Sequence, residues 1–227
     1  MTLVSVIMPA LNEAPVIADA VADVPLGRFA ALGFETEILV VDNGSVDGTV
    51  ELAERAGARV VREPRRGYGN AYRRGFQEAR GSILCTLDAD RTYPAQMLPD
   101  LVSKLLSEDL AFISTNRFAF MTNGAMTRTN RWGNAILSRA GRTLFDLPFH
   151  DSQSGMWVFR AELLERMRLR AEGMALSEEI KIEAASRLNV RCAEVPIHYA
   201  HREGVSKLRV WRDGAGNLLY LFRKRLG

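Results

Sequence analysis

The first 117 residues alternate short apolar runs with amphipathic segments. The apolar runs are continuous, which is typical of strands that are buried on both faces of a parallel sheet. The segments between them carry helix signals, such as Asp47 at a probable N-cap position and Pro94 in a first turn. The pattern predicts strands over 3–9, 37–42, 58–63, 82–87 and 111–116, and helices over 14–24, 47–56, 69–79 and 94–107. We therefore expect an α/β fold with a mostly parallel central sheet and helices on both faces.

The alternation is less regular after residue 117. The pattern there predicts a mobile loop over 118–130, helices over 130–145, 160–167 and 177–188, and strands over 155–159 and 190–200. Pro196 indicates an edge strand or a bulge, because proline cannot donate to a central ladder. No stretch has the composition of an interdomain linker. We expect a single domain over 1–227, made of parts 1–117 and 118–208 and an amphipathic C-terminal helix over 209–227.

Polar residues follow four of the predicted strands, at the point where each strand ends. They are Asn12 and Glu13, then Asp42, Asn43 and Ser45, then Asp88 and Asp90, and finally Asn116 and Arg117. The carboxyl ends of parallel strands meet at one edge of a sheet, where ligands of open α/β folds bind. Solvated turns would not need this arrangement, so the pattern predicts a binding site at that edge.

The pair Asp88 and Asp90 directly follows a buried strand, in the sequence "LCTLDAD". A solvated turn is the plain interpretation of such a pair. The alternative is a hard divalent cation, Mg²⁺ or Mn²⁺, held against a phosphate, because carboxylate oxygens are its preferred protein ligands.

Composition narrows the class of protein. Apolar residues make up 47% of the chain and charged residues 25%, which is typical of a soluble globular domain. The net charge of +3 gives no indication of a nucleic-acid partner. Cys85 and Cys192 lie in apolar runs, which favours reduced thiols and a cytoplasmic location. No signal peptide is recognisable, and no run approaches the roughly 20 apolar residues of a membrane span.

Familiar nucleotide and hydrolase motifs are missing from the sequence. It contains neither GxxxxGK[ST], GxGxxG nor GxSxG, which argues against P-loop, Rossmann and serine-hydrolase chemistry. The segment "RRGYGNAYRRG" over 65–75 has two possible uses. Gly67 and Gly69 either bring backbone N–H groups near a diphosphate or simply begin a helix, and the sequence favours neither.

Six segments carry a resemblance that covers nearly the whole chain. They are "SVIMPALNE" (5–13), "VVDNGSVDGT" (40–49), "RGYGNAYRRGF" (66–76), "TLDADRTYP" (86–94), "DSQSGMWVFR" (151–160) and "EVPIHYAHREGVSKL" (194–208). In this order and spacing they resemble family 2 glycosyltransferases of the GT-A fold. The last two resemble the polyprenyl-phosphate branch, the dolichyl-phosphate mannose or glucose synthases.

The resemblance implies a donor site in the first half of the chain. Pro9, Leu11 and Glu13 match the segment that holds the base and ribose of a nucleotide diphosphate sugar, and Asp42 matches the carboxylate that recognises the base. Gly67 lies in a further donor segment. The metal- and diphosphate-binding residues would be Asp88, Asp90 and Gln153, with Asp90 also assigned to catalysis.

The second half would bind the acceptor. Arg117, Arg131 and Arg202 resemble the basic residues that receive an acceptor phosphate, with Ser206 and Lys207 close by, and Arg202 is also assigned to catalysis. For each arginine the alternative is a solvated surface charge. Parts 1–117 and 118–208 then correspond to a nucleotide-sugar half and an acceptor half.

Glu178 and Glu179 follow Ser177, which would be a good N-cap residue. Capping and helix-dipole chemistry therefore explain these glutamates without a site. The alternative makes one of them a catalytic base or a ligand for sugar hydroxyls. We slightly favour a sugar- or acceptor-site role for Glu179, and include it among the catalytic candidates.

The activity implied is metal-dependent, inverting transfer of a hexose from a UDP- or GDP-sugar to a polyprenyl phosphate. The segment "SKLRVWRDG" departs from the QxxRW signature of processive relatives, so a single transfer per encounter is expected. Two alternatives stay open: the same transfer to a soluble acceptor, and a nucleotide-sugar-binding module without turnover.

The C-terminal segment has apolar residues on helical spacing, at 208, 211, 215, 218, 219, 222 and 226, with arginines and lysine around them. Such a helix can bind the anionic inner face of a membrane peripherally, or pack on the domain with a basic rim. The glycines at 214 and 216 make it an imperfect helix.

Overall fold

The computed structural model of this chain describes residues 1–122, 124–201 and 210–226. The predicted acceptor residues Arg202, Ser206 and Lys207 lie outside the described residues. The predicted C-terminal helix is present over Val210–Leu226.

The centre of the fold is one seven-stranded sheet that runs through both predicted halves of the chain. Its strands are β1 (Thr2–Ala10), β2 (Phe34–Asp42), β3 (Arg59–Arg62), β4 (Ile83–Thr86), β5 (Phe112–Met121), β6 (Trp157–Arg160) and β7 (Cys192–Tyr199). Their order is β3-β2-β1-β4-β6-β5-β7. Of these described strands, β6 is antiparallel to both neighbours and the other pairs are parallel. The predicted mostly parallel sheet is confirmed.

Helices cover both faces of this sheet. They are α1 (Ile17–Ala22), α2 (Leu26–Ala31), α3 (Thr49–Arg55), α4 (Tyr68–Glu78), α5 (Leu98–Ser107), α6 (Arg128–Phe145), α7 (Leu163–Arg166), α8 (Leu176–Lys181) and α9 (Val210–Leu226). A 3₁₀ turn (Ala95–Met97) precedes α5, and a π-helical turn (Ile182–Arg187) continues α8.

The strands are buried on both faces, as their continuous apolar runs predict. In β1, Val4, Val6 and Met8 belong to one hydrophobic cluster, and Ile7 belongs to the other. Successive side chains of a strand point to opposite faces, so each run must be apolar throughout. Charged side chains are consequently excluded from the strands and collect where the strands end.

Strand register brings these ends together. Ala10 of β1 pairs with Asp42 of β2, and Asp42 in turn pairs with Arg62 of β3. On the other side of β1, Ile7 pairs with Thr86, the last residue of β4. The residues after β1, β2 and β4 therefore leave the sheet at the same edge.

The predicted loop over 118–130 is wrong at both ends. Strand β5 continues to Met121, because β7 offers a partner after a register shift, and Phe120 pairs with His198. Helix α6 then begins at Arg128. The edge position predicted from Pro196 is confirmed, since β7 is the outermost strand and Pro196 pairs with Asn116 at that irregularity.

Two predicted N-caps are also wrong. Helix α3 begins at Thr49 after Gly48, whose φ of 88° only glycine adopts readily, and Asp47 lies one residue earlier. Its carboxylate accepts hydrogen bonds from the backbone of Ala14 and from Thr49 instead. Helix α8 begins at Leu176, so Ser177 lies inside the helix.

Both cysteines are unpaired, as predicted. Cys85 is buried and Cys192 is half-buried.

We expect Gly75→Ala to destabilise the fold by about 1–3 kcal/mol, the usual cost of overpacking a core. A Cβ at Gly75 of α4 would lie 2.5 Å from Ile7 Cγ2 and 3.1 Å from Val41 Cγ2. Denaturant unfolding measures the loss. Gly27→Ala is the matched control, because no atom lies within 4 Å of a Cβ added in α2. Equal stability of the two variants would contradict the packing argument.

Candidate active site

The loops after β1 and β2 are joined by hydrogen bonds. The backbone N–H of Asn12 donates to Ser45 Oγ at 2.9 Å, and Asn12 Oδ1 accepts from Val46 N at 2.9 Å. The N–H of Glu13 donates to Thr49 Oγ1 at 2.8 Å. The sheet edge therefore places the predicted donor segment, Pro9, Leu11 and Glu13, against the β2–α3 loop.

Asp42 ends β2 and is buried. Its Oδ1 accepts the N–H of Ser45 at 2.9 Å, and its Oδ2 accepts that of Gly44 at 3.3 Å, so the carboxylate holds the turn after the strand. It also lines an open groove of about 720 Å³. Other residues along this groove include Ser45, Thr49, Arg55, Arg62 and Glu63. Base recognition by Asp42 stays a prediction, and the groove gives it a place.

Gly67 is the N-cap residue of α4, with φ 140°. Asn43 Oδ1 accepts its N–H at 2.8 Å. A Cβ at this position would lie 2.3 Å from the carbonyl oxygen of Glu172. Helix start and close backbone approach thus explain the glycine structurally, and its predicted contact with a diphosphate stays a prediction.

Asp88 follows β4 and lies beneath two tyrosines of α4. The hydroxyls of Tyr68 and Tyr72 lie 3.3 Å and 3.4 Å from Asp88 Oδ1. Burial raises the pKa of both phenols well above its usual value, so both stay protonated donors. Sequence reasoning missed this pair. Their i, i+4 spacing in a predicted helix was the available signal, since it places both on one helix face.

Gly155 leaves a space beside the same carboxylate. A Cβ there would lie 2.4 Å from Tyr68 Oη and 3.6 Å from both carboxylate oxygens of Asp88. Any larger residue would therefore push into the Tyr68–Asp88 contact.

Asp90 is buried, and its Oδ1 accepts from Thr92 Oγ1 at 2.7 Å and Thr92 N at 3.2 Å. Between them, Arg91 has a left-handed backbone with φ 60°, which is uncommon outside glycine, asparagine and aspartate. The Arg91 side chain is held by Asp23, with Nε to Oδ2 at 2.7 Å. Such strained positions cluster at functional sites. The turn that carries Asp90 is thus fixed from α1, a contact that no local pattern predicts.

The residues fit a hard divalent cation whose shell a diphosphate completes. Asp88 and Asp90 offer oxygen donors, and Gly155 leaves space next to the first of them. Gln153 Oε1 accepts from Asn217 Nδ2 of α9 at 3.1 Å, so the structure ties this predicted metal-site residue to the C-terminal helix. Within the described residues, no three His, Cys, Asp or Glu side chains converge as a metal centre. The protein by itself would supply only part of a coordination shell.

Arg117 forms a buried, bidentate ion pair with Asp151. Its Nε lies 2.7 Å from Oδ2, and its Nη2 lies 2.8 Å from Oδ1. Burial favours the neutral carboxyl, but the charges of Arg117 and Lys181 hold the pKa of Asp151 below its usual value. Arg131, by contrast, is exposed near the start of α6. Acceptor binding by either arginine stays a prediction, and Arg117 already has a carboxylate partner.

Glu179 is fully buried and holds three segments together. Its Oε2 accepts the N–H groups of Arg170 and Ala171, both at 2.8 Å. Its Oε1 accepts from the Tyr220 hydroxyl and from Lys224 Nζ of α9. These contacts give Glu179 a structural role that the sequence did not predict. They lend no support to a sugar- or acceptor-site role, which stays a prediction.

Glu178 lies closer to the predicted metal-site residue than these contacts place Glu179. Its Oε1 accepts from Ser152 Oγ at 3.0 Å, next to Gln153 in the chain. Burial raises the pKa of Glu178 to about 8. Its Oε2 is buried without a hydrogen-bond partner in the described part of the chain. Capping explains neither glutamate, because α8 begins two residues before Glu178.

Two curated proteins of Haloferax volcanii are similar to this chain over most of its length. "Glycosyltransferase AglJ" is 36% identical over 224 residues, which cover 97% of this chain and 71% of that protein. "Dolichyl-phosphate hexose transferase" is 35% identical over 216 residues, or 93% of this chain and 89% of that protein.

Solved structures agree with the architecture. Glucosyl-3-phosphoglycerate synthase from Mycobacterium tuberculosis, in complex with Mn²⁺, UDP and glucosyl-3-phosphoglycerate, superposes with a TM-score of 0.78 at 24% identity. The match covers 99% of this chain and 80% of that one. This likeness confirms the predicted GT-A fold.

The sequence model described as "Glycosyl transferase family 2" matches residues 5–168, which include both aspartates and the Gly155 space. With the two Haloferax relatives, this match confirms the resemblance found from the six segments. The chain belongs to glycosyl transferase family 2.

Proposed function

We propose that this chain catalyses the metal-dependent, inverting, non-processive transfer of a hexose from a nucleotide diphosphate sugar to a polyprenyl phosphate. The observation that carries the proposal is the placement of Asp88 and Asp90 at the edge of the sheet. There the tyrosines of α4 hold Asp88, and Gly155 leaves space beside it. The groove lined by Asp42 lies at the same edge and suits the nucleoside.

Asp88 and Asp90, with Gln153, would hold Mg²⁺ or Mn²⁺ against the diphosphate. A bound divalent cation would neutralise the charge that develops on the departing diphosphate. The tyrosine hydroxyls orient the Asp88 carboxylate, and Thr92 orients that of Asp90. Both carboxylates are thereby fixed before the donor binds, which is the preorganisation that electrostatic catalysis needs.

A phosphate acceptor is already anionic near neutral pH, so no general base is strictly required. Attack from the face opposite the departing diphosphate is a single displacement and inverts the anomeric centre. Arginines that orient the acceptor phosphate suffice for this step. Arg117 and Arg131 are the described candidates, and part 118–208 is accordingly our proposed acceptor half.

The relatives support two acceptor classes. The name "Dolichyl-phosphate hexose transferase" belongs to a protein that this chain covers almost completely, which supports the lipid acceptor. The synthase structures with phosphoglyceric acid or its glucosyl product support a soluble phosphorylated acceptor, although at 23–25% identity they establish fold rather than substrate. A phosphate on the acceptor is common to both.

We further propose a cytoplasmic enzyme bound peripherally to the inner face of the membrane. Of the helices that the structure describes, none combines the length and hydrophobicity of a membrane span. The outward face of α9 nevertheless carries an apolar stripe, made of Ala215, Leu219, Phe222 and Leu226, next to exposed Arg223 and Arg225. Its inward face packs on the domain through the fully buried Leu221. An exposed apolar stripe with flanking arginines suits an anionic lipid surface.

Helix α6 packs against α9 and extends this surface. Trp132 is 73% exposed and Ile136 is 56% exposed, one helical turn apart. Tryptophan is enriched at membrane–water interfaces, where an apolar ring with one polar atom is stable. The predicted alternatives for the C-terminal helix thus need not compete: one face can pack while the other binds lipid.

Asp90→Asn should reduce metal-supported transfer by about 100-fold or more, because lost charge stabilisation of several kcal/mol has that effect on rate. The assay combines short polyprenyl phosphate with a panel of UDP- and GDP-sugars, in Mg²⁺, Mn²⁺ or EDTA. Released nucleotide and lipid-phase sugar are measured separately. Asp100→Asn is the control, since Asp100 is an exposed carboxylate on α5. Normal turnover by a folded Asp90→Asn variant would show that the aspartate pair is only a turn.

The same assay separates the alternatives for the parent chain. Metal-dependent sugar in the lipid phase supports the proposed acceptor. Nucleotide release without lipid product would overturn the lipid acceptor and favour a soluble one. Donor binding with neither signal would favour a binding module without turnover.

Tyr68→Phe should raise the Mn²⁺ concentration needed for half-maximal activity by about 10-fold, the lower end of the effects seen when a metal ligand loses its hydrogen-bonded support. The change removes one hydroxyl donor from Asp88 and leaves the ring in place. The Tyr68→Phe, Tyr72→Phe double variant should show a larger shift. Unchanged metal activation in the double variant would exclude a role of these hydroxyls in the site.

Trp132→Ser combined with Phe222→Ser should reduce co-sedimentation with vesicles that contain anionic phospholipid by about 10-fold or more, because each buried apolar side chain contributes about 1.5–3 kcal/mol. Leu26→Ser is the control, with 48% exposure on α2. Binding of the parent chain should also weaken as salt rises. No sedimentation of the parent chain at low salt would refute peripheral attachment.

A further inference from the structure

Lys181, at the end of α8, is fully buried. Its Nζ donates to the backbone carbonyls of Ser152 at 2.8 Å, Ser154 at 2.8 Å and Ser177 at 3.1 Å. It also lies 5.5 Å from the centre of the Trp157 ring. An ammonium has three N–H donors, whereas a neutral amine has two, so three carbonyls match the charged form.

Burying this charge is costly and needs a reason. Burial lowers the pKa of Lys181 to about 7, against the nearby charge of Asp151, which raises it. A methionine would fill similar space beside Trp157 without that cost. The ammonium therefore serves the carbonyl groups that it binds, rather than the packing of the core.

Two of these carbonyls lie on either side of Gln153, in the segment 151–155. Further side chains hold the rest of this segment: Arg117 binds Asp151, Ser138 and Glu178 bind Ser152, Thr115 binds Ser154, and the Tyr93 hydroxyl accepts the N–H of Gly155. At its start the segment meets a predicted acceptor arginine. At its end, Gly155 leaves the space beside Asp88.

We propose that Lys181 is a positioning residue of the active site, whose ammonium fixes segment 151–155 and thereby aligns Gln153 and Gly155 with Asp88. The proposal rests on the donor and metal site of the proposed function, and not on the identity of the acceptor. Lys181 acts through backbone carbonyls and touches no reacting atom.

Lys181→Met keeps the length and apolar stem of the side chain and removes all three donors. Lys181→Gln keeps two donors without the charge, and it carries the test if the methionine variant does not fold. Lys104→Met, on the surface of α5, is the matched control. Thermal unfolding first establishes that each variant is folded.

Binding of UDP or GDP, whichever the parent chain binds, is then measured with Mn²⁺ and with EDTA. We expect the Mn²⁺-dependent gain in affinity to fall by about 10-fold or more in the Lys181 variants, as when support of a metal site is lost. Binding in EDTA should change by less than about 2-fold, because the nucleoside groove at Asp42 does not include segment 151–155.

A double-mutant cycle with Gln153→Ala separates positioning from general stability. If Lys181 acts through Gln153, the effect of Lys181→Gln should be smaller in the Gln153→Ala background, whereas independent effects add. Additive effects, equal losses with and without Mn²⁺, or failure of both Lys181 variants to fold would each overturn the proposal. A parent chain that binds nucleotide with Mn²⁺ but transfers nothing would overturn the proposed function alone.

Discussion

The central strand β4 sets the constraint on which the site depends. It lies between β1 and β6, and all four of its residues are buried. A carboxylate cannot be placed within such a strand without a large desolvation cost. Asp88 and Asp90 therefore stand directly after β4, at the edge where β1 and β2 also end. The same burial that stabilises the sheet concentrates charge at this edge.

Partners from distant parts of the chain then fix that charge. Tyr68 and Tyr72 approach Asp88 from α4, whereas Arg91 is held from α1 by Asp23. Because hydrogen bonds to a carboxylate fix its orientation as well as its charge, the aspartates are rigid parts of the sheet edge rather than a solvated turn. This rigidity explains how a partial set of protein ligands could still hold a cation once a diphosphate is present.

Segment 151–155 joins the two halves of the chain. It binds Arg117 through Asp151, lies next to Asp88 through Gly155, and contacts α9 through Gln153. α9 is in turn anchored by Lys224, which bridges Glu179 and the neighbouring glutamate at 183. A helix that presents an apolar stripe outward is thus mechanically connected to the donor site. Lipid binding at α9 and alignment of Gln153 would then share one path of contacts.

The sequence by itself determined the sheet, its parallel strands and the edge at which the polar residues meet. These follow from local patterns, because a strand buried on both faces has to be apolar and its charges have to follow it. The six motif segments also determined the family. The N-caps at Asp47 and Ser177 and the loop after residue 117 were wrong, because a tertiary partner, such as β7 for Phe120, overrode the local signal.

Only the tertiary structure decided how the site residues are paired. Arg117 carries a charge that could bind a phosphate, yet Asp151 lies 34 residues away in sequence and 2.7 Å away in space. Glu179 and Glu178 are adjacent in the chain, but successive helical residues point about 100° apart, so one faces α9 and the other Ser152. Lys181 gave no sequence signal, because its partners are backbone carbonyls that every residue carries. Residue type and spacing specify which groups are available, and the packing of distant segments decides which of them meet.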